Sequence, residues 1–167
     1  MSMEDVEFDE SQLENLEQNV EQAEKDKENI EDTLETIDQA LTKIENAPEL
    51  QEIKEGIENK REHVQEMQQE NEQKMEQYKE ALREMHQELA ERARHLESAS
   101  SAIQELSETG EDVSAAESKI QEKAASIESS AERVNSLAEK LELGLDHIEL
   151  QLANGASHST YSKVRKR

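Results

Sequence analysis

Five histidines, at 63, 86, 95, 147 and 158, and forty-two carboxylates are the side chains here that could hold a metal or move a proton. A carboxylate-bridged di-iron bundle uses glutamate three residues ahead of histidine. Lys60, Arg83, Arg92 and Gly144 occupy that place before His63, His86, His95 and His147. Glu91 and His95, four apart, share a helix face, but two ligands close no site. Gly56, Gly110, Gly144 and Gly155 are too scattered for a phosphate loop, and neither G-x-S-x-G nor H-E-x-x-H occurs. With no cysteine, thiolate chemistry and disulfides are excluded. Carboxylates without a concave pocket have nothing to perturb them. No catalytic residue, cofactor or metal site is therefore expected.

Recognition chemistry remains. Lys27, Lys60, Asn71 and Arg92 interrupt otherwise apolar helical rows, and Tyr78 is the aromatic member of one. A polar residue in such a row costs stability but selects register and partner. The competing account is that the long side chains lie along the row and reach water. Tyr161, Lys163, Arg165, Lys166 and Arg167 form a basic, aromatic-bearing end that could dock on an acidic protein surface, or weakly on nucleic acid. A solvated tail would look the same.

Positioning these residues falls to helices. The 167 residues are 32% hydrophobic, 37% charged and 2% aromatic, with net charge −23, too polar for one ordinary core. The apolar residues are concentrated instead. Leu13, Leu16, Val20, Ala23, Ile30, Leu34, Ile37, Leu41 and Ile44 recur at steps of three and four with Lys27 among them, a heptad seam whose helix Ser11 and Glu14 could cap. Asn46 and Pro48 read as a new start. A second seam runs from Leu50 through Ile53, Ile57, Lys60, Val64, Met67, Asn71, Met75, Tyr78, Leu82, Met85, Leu89, Arg92 and Leu96 to Leu106, with a stutter at 67–71–75. Gly110 supplies a helix stop, and Asp112 or Ser114 could cap a third helix carrying Ile120, Ile127, Val134, Leu141 and Ile148 every seven residues.

The expectation is an all-α fold: an elongated antiparallel three-helix coiled coil, staggered, with helices near 11–45, 47–107 and 112–153. An acidic arm at 1–10 precedes it and a flexible basic tail at 154–167 follows. Pairing across the first turn sets Ile30 against Val64 and Leu34 against Lys60. Pairing across the second sets Met85 against Val134, and the two registers together bring Tyr78 to both Leu16 and Leu141.

Residues 1–47 carry sixteen acidic and three basic side chains, whereas 158–167 carry four basic and none acidic. An acidic coiled coil joined to basic Lys163–Arg167 resembles the acidic helical scaffolding proteins of virus assembly, which implies a virion-assembly role. Leaderless helical-hairpin cargo and adaptors of bacterial type VII secretion are similar in shape, though this tryptophan-free chain lacks their W-x-G signature. Spectrin-type repeats share the helix count but not the unequal lengths. The expected function is a non-catalytic adaptor, scaffold or assembly factor that binds a protein partner through helix–helix packing, including self-association. The acidic start and the absence of an apolar run near ~18 residues fit a cytoplasmic chain without membrane insertion, with leaderless secretion as the alternative.

Overall fold

The computed structural model describes residues 8–153 and 157–159. The chain is all-α in class, with α1 (Glu10–Ile44), α2 (Gln51–Glu108) and α3 (Ser114–Lys140), joined near the C-terminus by the short strands β1 (Glu149–Gln151) and β2 (Ser157–Ser159). α1 packs on α2, and α2 on α3. No helix among the described residues is long and apolar enough to cross a membrane.

Each helix end has a local cause. Asp9, not Ser11, opens α1, its carboxylate accepting from the Ser11 amide at 3.0 Å and from the Ser11 hydroxyl. Standing two residues earlier, at the N-cap, it reaches the N2 amide that Ser11, itself at N2, cannot. A 3-10 turn at Pro48–Leu50 leads into α2, and the residue before it is Ala47, with no side-chain cap. Pro48 has no N–H to leave unsatisfied, so the cap expected of Asn46 is dispensable. Gly110 takes the left-handed conformation expected of it, φ 91°, after the Thr109 and Gly110 amides close on Leu106 and Ser107. Asp112 accepts from the Ser114 amide at 3.1 Å and starts α3.

Two compact units divide the chain, Leu16–Tyr78 and the combination of Met1–Asn15 with Lys79–Arg167. In the first, α1 and α2 form an antiparallel hairpin. Ile30, Ile37 and Val64 make its core cluster, with Leu34, Leu41 and Ile57 packed against it. All buried residues of α1 lie on the expected seam, and Lys27 alone of that row is exposed.

In the second unit, α2 from Lys79 and α3 pack around Leu82, Met85, Leu89, Ala93 and Leu96 on one side and Ile120, Ala124, Ile127, Ala131 and Val134 on the other. The row Ile120, Ile127 and Val134 is buried, and the small residues Ala124, Ala131 and Ala138 beside it widen the covered stripe of α3. Ser130 and Glu10 meet at 3.3 Å, and Leu13 is fully buried.

The third helix does not reach 153. It stops at Lys140, where Glu142 adopts φ 55°, the Leu143 amide returns to the Ala138 carbonyl at 2.8 Å and the Glu142 amide to Glu139 at 3.1 Å. This pair of bonds is a Schellman stop built without glycine. The period of the sequence changes there. From Leu141 to Leu152, apolar residues mostly alternate with polar ones, and Ile148, Leu150 and Leu152 are buried while Glu149 and Gln151 are exposed, the pattern of a strand with one covered face. β1 pairs antiparallel with β2, Leu150 opposite His158. The expected tail is thus paired strand at 157–159, and its remaining residues lie outside those described.

Candidate interaction surface

Of the seam residues expected to select partner and register, one is built into the packing. Asn71 is 6% exposed, and its side-chain amide donates to the Ala23 carbonyl at 3.0 Å across the hairpin. The groove beside this bond, about 330 Å³, is lined by Asp26, Asn29 and Ile30 of α1 with Met67, Glu70 and Lys74 of α2. A larger open groove of about 710 Å³ lies along α1 over Leu34, between Glu31, Glu35 and Asp38.

The other residues fall differently. Lys27 and Lys60 are exposed. Tyr78 is half-buried. Arg92 is half-buried beside Glu88, 3.0 Å away. Tyr161, Lys163, Arg165, Lys166 and Arg167 lie outside the described residues.

The reason lies in the phase of α2. α1 repeats heptads without interruption, so the α2 surface facing it in the hairpin must do the same. The covered row passes through Ile57, Arg61, Val64, Gln68, Asn71, Met75 and Tyr78, placing Arg61 and Gln68 where Lys60 and Met67 were expected. Arg61 pairs with Asp38 at 3.3 Å. The stutter is displaced accordingly, to Met85–Leu89–Ala93, which leaves Arg92 and Leu106 beside the row. Hydropathy favoured Met67 over Gln68; constancy of phase against α1 was the signal that should have decided.

This phase leaves apolar side chains outside. Ile53 is 54% exposed and Met67 44%. They lie on one face of α2 with Gly56, Lys60 and His63, and the face carries no acid between Ile53 and Met67 although Leu16–Tyr78 holds nineteen acidic and seven basic residues.

A second polar cluster, missed in the sequence, fastens the C-terminal segment to α2. His86 Nε2 donates to the Asp146 carbonyl at 2.6 Å, and Ser100 Oγ accepts from the Ala153 amide at 2.9 Å. The Glu97 carboxylate accepts from the Gln151 amide; burial holds its pKa above the ordinary glutamate value, against that bond and the nearby Arg94. The alternation from 141 to 152 followed by Asn154-Gly155, a common hairpin dipeptide, was the available signal. Among the described residues no three His, Asp or Glu side chains are grouped to hold a metal ion. The described residues offer packing surfaces and backbone anchors. No protein-family model, curated protein or solved structure matches the chain.

Proposed function

We propose that this chain is a non-catalytic interaction protein, an adaptor, scaffold or assembly factor, whose docking part is the outer face of the α1–α2 hairpin. The observation that carries this reading is the exposure of Ile53 and Met67 on an acid-free strip of an otherwise strongly acidic unit. Burial of apolar surface drives helix–helix recognition, and depletion of charge marks the centre of interfaces. The hairpin has one narrow seam of its own, so a further helix laid along the strip would add apolar contact that the two helices alone lack. The basic residues Lys163, Arg165, Lys166 and Arg167, with Tyr161, serve in this reading as a secondary docking segment for an acidic surface.

A photo-crosslinking residue placed at Met67, with Glu66 on the rear of α2 as control, tests it in native extract. Crosslinks to a polypeptide, either another protein or a second copy, at 67 and not at 66 are expected. Equal or absent crosslinking at both positions would sink the reading.

A further inference from the structure

Gly56 stands inside the exposed strip, and none of the described residues crowds it. A Cβ built there meets no atom within 4 Å, and its φ is not positive. Glycine in a helix interior weakens the helix relative to alanine, and here it leaves a shallow hollow in the exposed face between Ile53 and Lys60. The neighbouring residues indicate what fills it. About the midpoint between Arg61 and Glu62, Gly56 and Met67 are symmetrically placed, and so are Glu49 and Lys74.

We infer that a second copy of this chain occupies the strip, α2 crossing α2 antiparallel about a two-fold axis at that midpoint. The inference rests on the function proposed above and names the occupant of that surface. In this register Met67 of each copy seats over Gly56 of its partner, a projection meeting a hollow, and Ile53 packs one turn away against the same methionine. Lys74 of each copy faces Glu49 of the other. One axis serves both the Met67–Gly56 and the Lys74–Glu49 pairing, as an isologous interface demands, and it sets Lys60 of each copy beside His63 of the other. Two copies each with net charge −23 repel, and the strip lowers that repulsion locally, since its face holds Lys60 and His63 and none of the acids between 53 and 67. Met67 and Lys74 also border the groove beside Asn71, which gives the methionine room to shift as it is covered.

Sedimentation velocity of the full chain over a concentration series tests the inference. A monomer–dimer equilibrium is expected. Gly56→Ala should raise the melting temperature of the dilute chain, because it improves the helix, while weakening the dimer about tenfold by filling the hollow. Met67→Ala should weaken it by a similar factor without affecting the fold. Glu49→Lys and Lys74→Glu should each weaken it about threefold, and the double exchange should restore it. A chain that stays monomeric throughout, or a dimer indifferent to Gly56→Ala and not restored by the double exchange, overturns the inference. Crosslinks from position 67 to another protein, with a monomeric chain, would overturn it while leaving the proposed function standing; absence of any crosslink would remove both.

Discussion

Asn71 donates to the backbone carbonyl of Ala23, 48 residues earlier in sequence, and this one bond fixes how α1 and α2 slide past each other. Ile30 and Val64 fall in one cluster in the same register. A hydrogen bond to a backbone oxygen reads position along the helix, which apolar side chains alone specify loosely.

Asn71→Leu should accordingly raise the unfolding free energy by about 1–2 kcal/mol, since a buried leucine contributes burial where asparagine must be desolvated. It should also loosen register. Spin labels at exposed Glu31 and Gln65 are expected to give one narrow distance in the parent and a broader distribution in the variant; an unchanged width would deny Asn71 its register role.

Glu142 holds a left-handed conformation that costs a side chain bearing a Cβ about 1 kcal/mol. Glu142→Gly should stabilise the chain by roughly that amount and Glu142→Val should destabilise it. Urea unfolding of the two variants decides, and the opposite order would contradict the Schellman stop.

Two kinds of carboxylate should respond oppositely to acid. Burial raises the Glu97 pKa, so the folded state binds its proton more tightly and stability is gained as pH falls through the raised value towards the ordinary one near ~4.3. Measured against Glu97→Gln, the parent should gain relative stability as pH falls through the raised value towards the ordinary one. Hydrogen bonds from Ser114 lower the Asp112 pKa, as those from Ser11 lower that of Asp9. Their contribution is present above the ordinary aspartate value near ~3.9 and lost as pH falls through the lower folded value. Against Asp112→Asn the parent should therefore lose relative stability in acid. Melting curves across pH test both signs.

Leu150→Ala should cost about 2–5 kcal/mol, because Leu150 is fully buried. Ile53→Ala, at a site 54% exposed, should change stability by no more than about 0.5 kcal/mol in dilute solution. Chemical unfolding at low protein concentration compares them. Equal losses would mean that Ile53 is covered within the monomer.

The buried row of the first helix was legible residue by residue, because one period runs through it unbroken; its cap was not, since Asp9 and Ser11 both carry capping oxygens. α2 was legible in extent but not in phase: Lys60 and Met67 each lie one residue before the position that is covered, and at single-residue resolution a period of 3.5 does not separate them. Only the partner helix does. α3 was overextended because Leu141, Leu145, Ile148 and Leu152 satisfy helical spacing and alternation together, and its stop uses glutamate where glycine is the usual mark. The C-terminal anchors were not legible, since His86, Glu97 and Ser100 each read as ordinary solvated residues until the strand lies beside them.

The attachment of β1 to α2 bears on solubility. An isolated two-stranded ribbon with leucines on one face is a template on which further strands grow. Here the Gln151 amide is taken by Glu97 and the Ala153 amide by Ser100, so side chains of a helix occupy donors that an incoming chain would need. In a segment reading Leu-Glu-Leu-Gly-Leu from 141 and Ile-Glu-Leu-Gln-Leu from 148, these two acceptors cover part of the strand edge, and their loss would open that edge to strand addition.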